Sequence, residues 1–153
     1  MPALPAGRVR PVVIAPDPVL SMRGEHADPA EPVVVQLAAD LLATQADSPG
    51  CVGLAAQQVG VAVQVFGVDV TGHAKMRTCH GRFVLCTTEV VGASRRERGR
   101  EGCLSVPGVT GDVARARRLT VRASCRCRGS GWSSRPMRSR RSRCSTRSPT
   151  RRG

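Results

Sequence analysis

The composition of this 153-residue chain changes abruptly after Ala123, and this change limits what the chain can fold into. Residues 122–153 contain eleven arginines and no acidic residue, and almost no aliphatic side chain occurs over 124–153. Such a segment cannot bury enough apolar surface to offset the conformational entropy that folding removes. We therefore predict a folded domain over residues 1–123 and a disordered Arg/Ser-rich tail over 124–153.

The formal net charge of +13 follows the same division. Residues 1–121 hold thirteen Lys and Arg against all eleven acids, a net charge of +2. The excess positive charge therefore lies in the tail, which predicts non-specific electrostatic binding of nucleic acid. Trp132 is the one aromatic residue of the tail, so the stacking platforms of single-strand binders are lacking there.

The amino-terminal sequence favours a cytoplasmic location and no membrane contact. Pro and Arg interrupt every apolar run there, and no segment reaches the ~18 apolar residues of a membrane-spanning helix. Seven cysteines without a secretory signal are interpreted as reduced thiols or metal ligands. We expect no structural disulfide.

One long helix is predicted near the amino terminus, over residues 31–47. Apolar side chains recur at helical spacing in EPVVVQLAADLLATQAD, and Pro32 suits the first turn because its missing N–H is not needed there. The sequence SPG at 48–50 ends the helix.

The sequence pattern in the rest of the predicted domain, residues 1–123, indicates strands. Alternating apolar residues favour strands at 59–70 and 83–91, and two shorter strand segments within 108–123. The charged run SRRERGRE at 94–101 is interpreted as a solvated loop. The fold class is therefore α+β, with one amino-terminal helix and antiparallel strands.

Two short motifs carry candidate chemistry. In CVGLAAQQVG, residues 51–60, small side chains allow close approach of a ligand or another element, and Gln58 supplies an amide donor. In EGCLSVPG, residues 101–108, Cys103 lies between Gly and Pro. Taken alone, the first motif fits a tight helix-to-strand connection and the second a buried or loop thiol.

The two motifs in this order resemble the peptide deformylases, metal-dependent hydrolases that remove the N-formyl group from nascent bacterial polypeptides. The resemblance covers residues from about 10 to 121 and implies the α+β fold of that family. It implies that Cys103 is the thiolate ligand of Fe(II), or of Zn or Ni. It also implies that Gln58 and the backbone N–H of Leu104 form an oxyanion hole for the formyl oxygen.

The resemblance further implies substrate contacts and partners. Gly53 and Leu54 would line a groove for an extended peptide, with Glu101 and Gly102 also on the substrate side. Glu101 would in addition hold the turn of its motif through a hydrogen bond or ion pair, for example with an Arg. The implied partners are formylated nascent peptides and the ribosome.

The sequence departs from the family pattern in the first motif and lacks the third. Cys51 stands where the family usually has Gly, and Gln57 where it often has Pro. The third family motif, a helix with H-E-x-x-H that supplies two histidine ligands and a general acid–base, does not occur in the 153 residues. No two histidines are four residues apart, as that motif requires; they are His26, His73 and His80. We therefore expect the central metal-binding helix to be missing and deformylase activity to be impaired or lost.

Two alternatives stay open. One is an RNA- or ribosome-binding protein that acts through the arginine-rich tail. The other is a non-functional product of a shifted reading frame, because Arg, Ser, Cys, Pro and Gly without acids are typical of out-of-frame GC-rich coding DNA.

The frameshift hypothesis predicts that one of the other two reading frames past codon 122 encodes H-E-x-x-H. Sequencing the gene and its transcript tests this directly. The hypothesis is wrong if neither frame contains the motif.

Overall fold

One helix and one antiparallel sheet organise the chain, and both follow from the apolar pattern of the sequence. The computed structural model describes residues 4–71, 81–127 and 136–140, with the backbone only at 125–127 and 136–140. Five strands lie in sequential order β1 to β5, and each neighbouring pair is antiparallel. The strands span Gly53–Ala55, Val65–Asp69, Arg82–Cys103, Val106–Cys127 and Pro136–Arg140. The predicted α+β class is confirmed.

Helix α1 spans Pro32–Ala46 and confirms the predicted helix. Pro32 lies at its start, and Leu41 is fully buried against the sheet. The helix approaches β2 closely at Gly67, where a Cβ atom would lie 3.1 Å from Gln45 Oε1 and 3.5 Å from Leu41 Cβ. The main core is aliphatic, and its buried members are Ala27, Val34, Leu37, Ala38, Leu41, Leu42, Leu54, Ala56, Val59, Val65, Val84 and Cys86.

The predicted strand at 59–70 is correct only at its end. Residues Ala56–Val59 form a 3-10 turn, and β2 begins at Val65. Gly60 ends the turn with a φ of 81°, a left-handed conformation that glycine adopts without strain. The alternating pattern therefore continues through a turn and a loop, which sequence periodicity does not distinguish from a strand.

The predicted loop at 94–101 is wrong. These residues belong to β3, and they pair with β4 in a long hairpin through backbone hydrogen bonds that need no apolar side chain. The strand predicted at 83–91 is therefore too short. The two strand segments predicted within 108–123 are one continuous strand.

The structure places strands within part of the segment predicted to be disordered. Strand β4 runs on to Cys127, and β5 pairs with β4 through residues such as Met137 opposite Val121. These pairs form through backbone groups, so the scarcity of apolar side chains does not prevent them. The rest of the predicted tail lies outside the described residues, and the domain boundary at 123 stays a prediction.

The described cysteines Cys51, Cys86 and Cys103 are free thiols. Burial raises the pKa of the Cys86 thiol, in the aliphatic core, to about 12. Among the described helices, none combines the length and the hydropathy that crossing a membrane requires.

Asp40 fastens the amino-terminal segment to α1. Its side chain is 3% exposed, and its Oδ2 atom lies 2.8 Å from a terminal nitrogen of the Arg10 guanidinium. Oδ1 accepts from the backbone N–H of Arg8 at 2.9 Å and from Gln36 Nε2 at 2.8 Å. Burial on its own raises the pKa of Asp40, but these hydrogen bonds and the charge of Arg10 outweigh it and hold the pKa below its ordinary value.

We predict that Asp40→Asn lowers the free energy of unfolding by about 2 kcal/mol at neutral pH, because hydrogen bonds to a charged group are lost. A depressed carboxyl pKa stabilises the fold above the unfolded-state pKa, and this stabilisation disappears as pH falls through the folded-state value. The difference between parent and variant should therefore shrink in urea titrations carried out below about pH 4.

The matched control is Asp47→Asn, at the exposed carboxyl end of the same helix. It should change the free energy of unfolding by less than about 0.5 kcal/mol. Equal effects of the two variants, or an Asp40→Asn effect that does not vary with pH, would contradict the role given to Asp40.

Candidate active site

The second motif forms the tight turn that joins the two long strands. Cys103 ends β3, Val106 begins β4 opposite it, and Leu104 and Ser105 lie between them. Ser105 is 3% exposed, and its carbonyl oxygen accepts from the backbone N–H of Ala15 at 2.8 Å. Leu104 packs against the main core. Cys103 is exposed, so this turn presents a thiol to solvent from a firmly held backbone.

The first motif brings an amide to that thiol. Ala55 donates its backbone N–H to Gln58 Oε1 at 3.0 Å across the 3-10 turn. This bond orients the side chain of Gln58, whose Nε2 lies 3.7 Å from Cys103 Sγ and 3.4 Å from Ser105 Oγ. The predicted oxyanion donor and the predicted metal ligand are therefore neighbours, although they are 45 residues apart in the chain.

The predicted groove residues differ in what they expose. The Leu54 side chain is buried in the core at 2% exposure, so only its backbone is left to face a ligand. Gly53 is exposed. A Cβ atom at this position would lie 3.8 Å from Gly67 O, its nearest neighbour. Both lie in β1, which is the first strand in the order of the described sheet and pairs there with β2 alone.

Glu101 forms an ion pair across the hairpin. Its Oε2 lies 3.0 Å from a terminal nitrogen of Arg115, and Arg115 Nε also approaches both carboxylate oxygens. This contact is the kind of ion pair that the sequence analysis expected for Glu101. Gly102 pairs with Thr110 and is exposed. A substrate contact by either residue stays a prediction.

Two residues next to Gln58 and Cys103 were not predicted from the sequence as part of the site. Ser105 was not singled out, although its place within EGCLSVPG could have suggested it. Cys51 was noted only as a departure from the family. Burial raises the pKa of the Cys51 thiol above its ordinary value; a backbone hydrogen bond of Gly53 lowers it, and the charge of Cys103 raises it.

The described residues do not supply a complete metal site. No group of three or more His, Cys, Asp or Glu side chains able to hold an ion occurs among residues 4–71 and 81–124. A catalytic ion normally takes three protein ligands, and the donors described here are the Cys103 thiol and the nearby Cys51 thiol.

The histidines do not complete the set within the described residues. His26 lines a cavity of about 540 Å³ together with Arg23, Gln64, Thr87, Thr88, Glu89, Val90 and Arg122. None of these is a residue of the two motifs. His73 and His80 lie outside the described residues.

The helix, the antiparallel sheet and the paired motifs together define the class of the peptide deformylases. The family model described as polypeptide deformylase matches residues 9–127. The chain therefore belongs to the peptide deformylase family, and the resemblance stated from the two motifs is confirmed.

Individual relatives agree with this assignment. Over 114 residues the chain is 35% identical to a peptide deformylase of Agrobacterium fabrum, covering 74% of this chain and 65% of the relative. The crystal structure of peptide deformylase from Ehrlichia chaffeensis superposes with a TM-score of 0.69 at 28% identity, covering 76% of this chain and 68% of that one. A Legionella pneumophila enzyme of the same name gives 0.66 at 32% identity, covering 75% and 64%. The chain thus spans just under two thirds of the length of the first curated relative.

Proposed function

We propose that this 153-residue chain carries the substrate-positioning half of a peptide deformylase site but hydrolyses formyl groups slowly or not at all. The observation that supports this proposal best is the position of Gln58 Nε2 beside Cys103 Sγ and Ser105 Oγ. A donor fixed beside an exposed thiol matches the oxyanion donor and thiolate pair that the family resemblance implies.

The proposed substrate is the formyl-methionyl end of a nascent polypeptide, at the ribosome in the cytoplasm. The side of β1 that pairs with no other described strand offers backbone groups at Gly53 and Leu54 to an extended peptide, which could add as a further strand. Gln58 Nε2 and the backbone N–H of Leu104 would then donate to the formyl oxygen, and Glu101 and Gly102 would border the substrate.

Hydrolysis itself lacks support from the residues present. Peptide deformylases are in general metal-dependent, and the donors described around Cys103 do not fit a complete site for Fe(II), Zn or Ni. The sequence also contains no H-E-x-x-H segment whose Glu could take a proton from the attacking water. Water that is neither activated nor deprotonated is a poor nucleophile at neutral pH.

The test is to purify the chain, supply Fe(II) without oxygen, or Zn or Ni, and measure both bound metal and hydrolysis of a formyl-methionyl peptide. We expect substoichiometric metal and no hydrolysis above the rate without protein. Stoichiometric metal with turnover that Cys103→Ser abolishes would contradict the proposal of impaired activity.

Substrate positioning is tested separately by binding. Gln58→Ala should weaken binding of the formyl-methionyl peptide about fivefold, the value of one hydrogen bond of about 1 kcal/mol. Binding of the same peptide without its formyl group should change less than about twofold. Equal losses for both peptides would contradict the donor role of Gln58.

A further inference from the structure

The β3–β4 hairpin carries a row of arginines on one side. Directly paired residues of antiparallel strands share a face, and the face alternates along each strand. Paired positions on one face are Ser94 with Arg118, Arg96 with Ala116, Arg98 with Ala114 and Arg100 with Asp112. We call Arg96, Arg98, Arg100 and Arg118 the arginine face, and Asp112 is the one acidic residue among these paired positions.

The arginine face is accessible and little neutralised. All four arginines are exposed. The ion pairs described on the hairpin involve other arginines, Arg115 with Glu101 and Arg122 with Glu89. Arg100 donates Nε to Thr110 Oγ1 at 2.9 Å. Within the described part of the chain, the guanidinium groups of the other three make no hydrogen bond or ion pair.

The spacing of the face fits a ligand with regularly repeated negative charge. Residues two apart in a strand are separated by roughly 6.7 Å, so Arg96, Arg98 and Arg100 form a straight row. A guanidinium binds phosphate through two parallel hydrogen bonds, which a planar fork favours. Ala116 and Ala114, which pair with Arg96 and Arg98, are small and leave the row of arginines unobstructed.

The residue types of the hairpin favour some classes of negatively charged ligand over others. Residues 91–119 contain no aromatic side chain, so the hairpin offers no aromatic platform for stacked bases and we expect contacts mainly with phosphates. The paired positions of the face include no large apolar side chain, which insertion into a lipid surface would require. A single row along β3 matches one line of phosphates rather than the two strands of a duplex.

We propose that the arginine face binds the phosphate backbone of single-stranded nucleic acid. This inference is independent of the deformylase proposal, because it uses neither Gln58 nor Cys103. It also differs from attraction by the carboxyl-terminal arginines, because it assigns binding to one face of a described hairpin.

The test uses the full chain and a fluorescent single-stranded oligonucleotide of about 12 nucleotides, with binding followed by fluorescence anisotropy. Arg96→Gln with Arg98→Gln removes two charges from the face. Arg8→Gln with Arg117→Gln removes two charges from exposed positions elsewhere, one on the body and one on the opposite side of β4. The two double variants have equal net charge.

We expect the Arg96→Gln, Arg98→Gln variant to bind the oligonucleotide about tenfold more weakly than the parent at about 0.1 M salt. The affinity of the control double variant should fall by less than about twofold. The slope of log affinity against log salt should become shallower by about 1.4, since each lost phosphate contact in a single strand contributes about 0.7. RNA and DNA strands should bind with similar affinity, because the proposed contacts are with phosphates, which both strands carry.

Three results would overturn the inference. The first is an equal loss in both double variants, which would mean that net charge alone drives binding. The second is tighter binding of a duplex than of its separated strands. The third is equally tight binding of polyglutamate of the same charge, which would assign the face to acidic protein. Metal-dependent turnover, or equal binding losses for the two peptides in Gln58→Ala, would contradict the deformylase proposal without changing any of these results, so the two proposals can fail separately.

Discussion

The side-chain amide of Gln58 is the contact on which the site depends. Its oxygen accepts from the backbone of its own turn at Ala55, and its nitrogen faces Cys103 and Ser105 in the turn between the two long strands. A hydrogen bond at each end restricts both the position and the direction of the amide, which is the preorganisation that the proposed oxyanion donor needs. This contact joins side chains of the two motifs, whose backbones are also linked by the amino-terminal segment: the N–H groups of Val13 and Ala15 donate to Gln58 O and Ser105 O at 2.8 Å each.

The fold supports this bridge from both sides. Helix α1 packs its apolar face on β2, with Gly67 allowing the close approach, and Asp40 binds the amino-terminal segment to the helix. That segment in turn donates from Ala15 to the carbonyl of Ser105. The thiol turn is therefore connected to the helix through the amino-terminal segment and to the first motif through Gln58. The described donors nevertheless form an incomplete metal set, which is why the proposed activity is limited to substrate positioning.

Sequence reasoning succeeded where side-chain pattern and backbone structure coincide. The buried face of α1 and the small-residue motif before β2 are both local signals, and the two motifs together predicted the family. It failed at 59–64, where apolar alternation continues through a turn that Gly60 ends with a left-handed conformation. It failed again at 94–101, where charged side chains suggested a loop but strand pairing uses backbone groups alone. The proximity of Gln58, Ser105 and Cys103 is a tertiary contact, and spacing along the chain does not contain it.

Amide hydrogen exchange measured by NMR on Gln58→Ala tests the bridging role of Gln58 most directly. Loss of one hydrogen bond of about 1 kcal/mol should raise exchange at the Ala55 amide about fivefold. Exchange should also rise at Ala15, whose amide is bonded to the turn that Gln58 contacts. The neighbouring variant Gln57→Ala, whose side chain makes no described bond to that turn, should leave Ala15 unchanged. Unaltered exchange at both amides in Gln58→Ala would show that Gln58 does not hold the two motifs together.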